Sequence, residues 1–353
     1  MKIIIPMGGK GTRLKPHTHT RPKPLVHVAG KPVLGHILDK FKNLNVEEII
    51  FITGAFSDQV ETYVRNNYSF KTRFIPQKEA LGVAHAIGLA KEFIDGDVLI
   101  VFADTLFEAD MSVINQLTST PSRPVKGFKG ATPFSKKIDA DGIIWVREVE
   151  DPRRFGVTFV QDGIISKIIE KPQTPVSNLA IIGLYYLSNG KKLMECIDYI
   201  IKNDIRFKNE FFLTDALQVM INQGERLIPQ PVTMWNDCGT IDAILETNQY
   251  LLKQNKPSVA KTHNSVIILP VFIEEGAEIV NSVIGPYVSI AAGASIKESI
   301  IKNSIINNNA IIHHAVLGGS LIGADSVVKE TPKKLNMGDN SEIILHEEEP
   351  QDE

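Results

Sequence analysis

The sequence is poor in cysteine, in long apolar runs and in surplus charge of either sign. Its 353 residues hold 2 cysteines. Cys196 and Cys238 are too few for a disulfide framework, and they lack the C-x-x-C spacing of a zinc or redox site. Both read as buried thiols. No stretch approaches the roughly 18 consecutive apolar residues of a membrane span, and the N-terminal apolar run is too short for a signal peptide. A reducing cytoplasm and no membrane partner are expected. The net charge of −3 argues against a non-specific nucleic-acid binder, so no nucleic acid is expected either. With 43% hydrophobic and 22% charged residues the chain is an ordinary globular protein. Its length allows two domains, because single cores stop growing near ~250 to 300 residues.

What the sequence does hold is concentrated at its start, in MKIIIPMGGKGTRLKPHTHTRPKPL. Ile3 to Ile5 is a short β-branched run ended by Pro6 and glycines, the pattern of a buried strand. Gly8, Gly9 and Gly11 then supply backbone without Cβ atoms, able to take positive φ and to converge several N–H groups on an anion. Arg13 and Lys23 add two cations. Together these describe a site for several phosphates, although glycines after a strand are also compatible with a plain tight turn. The spacing is neither G-x-x-x-x-G-K-[ST] nor G-x-G-x-x-G, since position 14 is Leu.

From Gly8 to Leu25 the string G-G-x-G-T-R-L-x-P-x-T-x-x-x-P-K-P-L resembles the signature of the sugar-1-phosphate nucleotidylyltransferases, the sugar-nucleotide pyrophosphorylases. That resemblance implies a mixed, mainly parallel Rossmann-like α/β sheet. It places Gly8, Gly9, Gly11, Thr12 and Arg13 on the nucleotide, with Lys23 close to the same charge.

The chain beyond it alternates strand and helix. Amphipathic or buried patterns predict helices over 32–45, 58–66, 81–93 and 240–252, and strands over 48–53, 72–75, 97–103 and 226–234. A parallel sheet covered on both faces follows, with its ligand beyond the carboxyl ends of the strands. Asp104 ends the run DVLIVFAD on that edge; it suits a turn, or a magnesium ion, which needs only one or two protein carboxylates beside phosphate oxygens. Asp237 stands in W-x-D-x-G-T, a second strand-to-helix junction, and the resemblance makes both aspartates metal ligands. The stretch 124–188 is richer in strands. Within it Arg154-Phe155-Gly156-Val157, Glu170-Lys171-Pro172 and Gly183-Leu184-Tyr185 are similar to the sugar-phosphate half of the family's site. By that similarity Lys171 holds the incoming phosphate and Glu170 accepts from sugar hydroxyls. Gly156 and Gly183 let the backbone approach the ring, and Tyr185 joins them.

Gln77 and Gly82 address the base. A side-chain amide can pair with the O4 and N3–H edge of uracil or thymine, and a glycine lets a base lie on main chain. Gln77 also suits a loop cap. The pair resembles the uridylyl- and thymidylyltransferase branches, with Val83 departing from the threonine common in the former.

After 252 the text changes. Residues 253–264 read as a linker, and from 265 to 330 aliphatic residues recur at 273, 279, 284, 290, 296, 301, 306, 312, 317 and 322. A step of five or six that regains one face after about 16 or 17 residues is the hexapeptide repeat of a left-handed parallel β-helix. So short a solenoid should cap the first domain or pair with another subunit, which predicts a homo-oligomer. His313 and His314 raise the alternative of an acetyltransferase base, but a polar turn explains them and the solenoid is short for an acyl-carrier cleft. Residues 331–353 read as an acidic tail.

The expectation is a Mg²⁺-dependent catalytic domain over 1–252. It joins a nucleoside triphosphate, UTP or dTTP first, to a sugar-1-phosphate, glucose-1-phosphate first. The alternatives are the GTP/mannose-1-phosphate or ATP/glucose-1-phosphate version, and a non-catalytic sugar-nucleotide-binding regulator.

Overall fold

The structure, a computed structural model, describes residues 1–9, 11–117 and 138–331. The part of the strand-rich stretch at 124–137, and the acidic tail beyond Thr331, lie outside the described residues.

The Lys2–Met7 strand is the middle of a nine-stranded sheet. It pairs in parallel with Glu48–Thr53 on one side and Val98–Val101 on the other, and Thr72–Pro76 extends the parallel half. Beyond Val98–Val101 the direction reverses. Leu179–Leu187 pairs antiparallel with it, then with Gly142–Glu148 and Gly156–Gln161, and Ile164–Glu170 closes that edge. The mixed, mainly parallel sheet expected from the alternating pattern is therefore present.

Both faces of this sheet are apolar because successive side chains of a strand point to opposite sides, and each side carries helices. Ile3 and Ile5 join a cluster with the Val33–Asp39 and Ser57–Asn67 helices. Ile4 joins the opposite one, with Val83–Gly88, Gly190–Lys202 and Leu213–Asn222. All three isoleucines are 0% exposed, and each such side chain contributes about 1.5–3 kcal/mol on burial.

Several expected elements differ in extent, and the 97–103 strand is only Val98–Val101. The 32–45 helix stops at Asp39, and its apolar stripe continues through tight turns in which Phe41 N–H donates to Leu38 O at 3.1 Å and Leu44 N–H to Phe41 O at 3.0 Å. The 81–93 helix is Val83–Gly88 followed by a 3₁₀ turn at Lys91–Phe93. The 226–234 strand is really two. Leu227–Pro231 pairs with Gly142–Glu148, and after a break Met234–Asp237 pairs antiparallel with Thr105–Glu108. Val232 N–H still donates to Val146 O at 3.2 Å before the first ladder ends.

The helix Ile241–Gln254 leads to the repeats. Three four-stranded parallel sheets stack as the faces of a left-handed β-helix, and the aliphatic positions from Ile273 to Ile312 fill its core. The preceding segment already bridges to it, Ser258 to Phe272 and His263 to Val280. One face docks on the α/β part, where Ile305 and Leu321 pack into the main core. Asn248, fully buried, accepts from Ala29 N–H at 2.9 Å and Ser289 Oγ at 2.6 Å, and donates to Tyr287 O at 3.2 Å.

Candidate active site

The glycine loop leaves the carboxyl end of the central strand. A Cβ on Gly8 would fall 2.2 Å from Gln77 Oε1, so no larger residue fits between loop and glutamine without moving the amide. Gly11 takes φ +59° at the head of the Thr12–Leu14 turn, with its carbonyl accepting from Thr18 Oγ1 at 2.8 Å. That turn presents Thr12 and Arg13 outward while Leu14 is buried. Lys23 opens the next short turn, Lys23–Leu25, with its side chain only 14% exposed.

The two aspartates far apart in sequence meet. In the short ribbon Asp237 lies opposite Thr105, and Cys238 N–H donates to Asp104 O at 2.9 Å. Lys23 Nζ stands 2.5 Å from Asp104 Oδ2 and 3.9 Å from Asp237 Oδ1. Gly239 leaves the room: a Cβ there would meet Asp237 Oδ1 at 2.8 Å and an Arg13 guanidinium nitrogen at 2.9 Å. Burial, then the charge of Asp104, raises the Asp237 carboxyl above its ordinary range, against the pull of Lys23, Arg13 and Arg154. Such a pair attracts a cation, as the lysine already held between its members demonstrates. Among the described residues no group of three or more His, Cys, Asp or Glu forms a metal cage. The donor set fits an ion that takes one or two carboxylates and completes its shell from substrate and water, as Mg²⁺ does.

At the other end Gln77 is fixed by its backbone N–H to Thr53 O at 2.7 Å and by its amide to Gly82 O at 3.2 Å. Gly82 has φ +101°, and a Cβ on it would lie 2.5 Å from Phe211 O. Only glycine suits that position. Gly8, Gly9, Gly11, Thr12, Arg13, Lys23, Gln77, Gly82, Val83 and Asp104 line one cleft of about 380 Å³.

The residues expected to hold sugar phosphate form a second group on the antiparallel half of the sheet. Glu170 ends a strand and accepts from Thr214 Oγ1 at 3.0 Å. Lys171, at φ +42°, has its Nζ 3.4 Å from Glu170 Oε1 and 4.7 Å above the Phe212 ring. A Cβ on Gly156 would press on Thr214 at 2.9 Å and on Glu170 Oε2 at 3.0 Å. Gly183, at φ +85°, admits the Phe102 ring. Tyr185 is not brought to the surface of either group. It is 3% exposed, packed in the core with its ring 5.7 Å from that of Phe102.

The sequence motifs gave no role to Thr214, Arg154, Trp235 and Gly239, although Arg154 stands in the quoted Arg154-Phe155-Gly156-Val157. Thr214 orients Glu170, and Arg154 puts positive charge near Asp237. Trp235 sets its ring edge-on to Phe155 at 4.9 Å, joining the ribbon that carries Asp237 to the segment that carries Gly156. Gly239 and Trp235 stand inside the quoted W-x-D-x-G-T, so the motif was visible while their contacts were not. His313 and His314 belong to a side of the solenoid, where His314 Nδ1 pairs with Glu298 at 2.9 Å.

A family model described as nucleotidyl transferase matches residues 2–254. A glucose-1-phosphate thymidylyltransferase of Streptomyces griseus is 32% identical over 308 residues, covering 85% of this chain and 81% of that protein. A bifunctional GlmU protein of Methanocaldococcus jannaschii is 35% identical over 280 residues, covering 78% of this chain and 61% of that protein, so this chain spans less than two thirds of it. Among solved structures, one from Bacillus anthracis, described as a glucose-1-phosphate thymidylyltransferase with sucrose bound, superposes with a TM-score of 0.57 at 25% identity. It covers 73% of this chain and 98% of its own.

Proposed function

Because this chain belongs to the nucleotidyl transferase family, we propose that it joins a nucleoside triphosphate to a sugar-1-phosphate, with dTTP or UTP and glucose-1-phosphate as the favoured pair. One observation carries the reading. A glycine loop, two cations, the Gln77 amide and Asp104 line a single cleft, and Asp237 stands beside Asp104 at its edge. The name of the Streptomyces griseus relative supports the choice of base and sugar.

In this reading the glycine loop and Arg13 hold the β- and γ-phosphates, Lys23 neutralises charge beside them, and Gln77 pairs with the base over Gly82. Lys171 orients the sugar phosphate, whose oxygen is a nucleophile at neutral pH and needs no strong base. That oxygen bonds to the α-phosphorus as the bond to the bridging oxygen breaks, and pyrophosphate leaves with the electron pair. Asp104 and Asp237 would hold Mg²⁺, which would supply Lewis-acid polarisation of the phosphate oxygens. The protein's part is positioning and charge stabilisation.

The division of labour we propose is catalysis in 1–252 and assembly with further copies in 265–330. In the solenoid Val266, Val283, Ile300 and Val316 stack in register on one face. Val266 is 58% exposed, Ile300 49% and Val316 71%. A ladder of β-branched side chains at the ~4.8 Å strand spacing is matched rung for rung by the same ladder on another copy.

The test is pyrophosphate release with Mg²⁺ across UTP, dTTP, GTP, ATP and CTP against several sugar-1-phosphates, with Asp104→Asn as control. Release confined to dTTP or UTP and lost in the variant is expected. Release with GTP or ATP sinks the base assignment, and silence with sugar nucleotides still binding makes the chain a regulator instead.

A further inference from the structure

Lys23 stands between the two halves of the nucleotide site. Its stem packs against the loop that would take the phosphates, where a Cβ on Gly11 would lie 3.4 Å from Lys23 Cβ. Its tip is turned the other way, onto Asp104 at 2.5 Å and toward Asp237 at 3.9 Å. The side chain is 14% exposed while the two carboxylates keep 33% and 28%, so the ammonium sits in the mouth between them. A lysine ammonium is a compact point charge on a flexible stem, and a rotation of that stem moves it from carboxylates to loop.

We infer that Lys23 is a built-in counter-ion, which holds the Asp104–Asp237 pair against a divalent cation until a triphosphate draws the ammonium away. The inference rests on the reading that this pair is the metal site. Two negative carboxylates share one lysine in the free protein, and a divalent ion must compete with that charge at the same oxygens. When phosphates enter the glycine loop, Lys23 has a stronger anion within reach of its stem and releases the pair. Nucleotide thus raises metal affinity, and by linkage metal raises nucleotide affinity by the same factor. The order is useful: the charge of the carboxylates stays partly offset when no substrate is bound, and the site takes its metal together with the nucleotide.

The test is Mn²⁺ binding to the full chain without nucleotide, read from the electron paramagnetic resonance of free Mn²⁺. Lys23→Met should bind Mn²⁺ roughly tenfold more tightly than the wild type, because one positive charge has left the pair. Lys23→Arg, which keeps the charge, should stay near the wild type. Adding Asp237→Asn to Lys23→Met should abolish the gain. Lys23→Gln replaces the methionine variant if that fails a thermal-melt check of folding. Equal or weaker Mn²⁺ binding by the uncharged variant, whether both affinities are high or low, overturns the counter-ion. Failure of the underlying reading looks different: Asp104→Asn and Asp237→Asn would then keep full turnover at every Mg²⁺ concentration.

Discussion

Thr214 shows how much one hydroxyl can decide. It donates to Glu170, the carboxylate assigned to the sugar, while its methyl group touches the space that Gly156 leaves open. Replacing it with valine keeps the volume and removes the donor, leaving Glu170 less firmly aimed. A hydrogen bond to a charged group is worth about 1.5–3 kcal/mol. Thr214→Val is therefore expected to raise KM for the sugar-1-phosphate roughly tenfold, with KM for the nucleotide unchanged. Steady-state kinetics with each substrate varied in turn check this, and an equal change in both constants would refute the assignment. Thr214 was hidden in the sequence because a threonine at the start of a helix is ordinarily a structural residue. Gly82 was singled out in the sequence as a place where a base could lie on main chain, but the Phe211 carbonyl 2.5 Å from where its Cβ would be was not visible there.

The element that joins active site to solenoid is the short hairpin of His27–Val28 and Lys31–Pro32, which follows the Lys23–Leu25 turn and runs into the Val33–Asp39 helix. Two half-buried histidines accompany it, His27 in its first strand and His36 in the helix that follows. His36 donates from Nε2 to Val28 O at 2.9 Å, and burial above all pushes its pKa down to about 4. Burial, with Arg21 nearby, does the same to His27, also to about 4. The unfolded chain binds these protons near pH 6.5, so between about 6.5 and 4 the unfolded state holds more protons and folding weakens as pH falls. Above that window the histidines have no effect, and below it the loss is complete, on the order of 3 kcal/mol for each. Urea unfolding measured across the window should show this slope, and His36→Gln should reduce it by about half. An unchanged slope in the variant would place the acid sensitivity elsewhere.

For the whole molecule the question is what the solenoid is for. One of its faces is spent on the α/β part, where Asn248 is hydrogen-bonded at both ends of its amide and Phe272 fills the space over Gly30. The aliphatic ladder lies on another. Ile300→Lys puts a charge in the middle of that ladder without touching the core residue Ile301 beside it. The variant is expected to lower the mass found by light scattering to that of one chain, with its melting temperature unchanged within a few degrees if assembly adds little to the stability of each copy. A wild type that is already a single chain at micromolar concentration would remove the assembly role. No helix among the described residues is long and apolar enough to cross a membrane.

The sheet, the solenoid and the glycine loop could be read from residue order because their signals are local: β-branched runs, a repeat of fixed length, glycines with cations at fixed spacing. Backbone physics acts on near neighbours, so such signals survive in a linear text. The meeting of Asp104 with Asp237 does not survive there, since it depends on the break after Pro231 and on the antiparallel register that follows. The same holds for Lys23 turning to the carboxylates, for Thr214 on Glu170, and for Tyr185 pointing into the core. Each is a contact between segments separated by tens of residues or more, and such contacts are set when the chain packs, by which faces must be buried together.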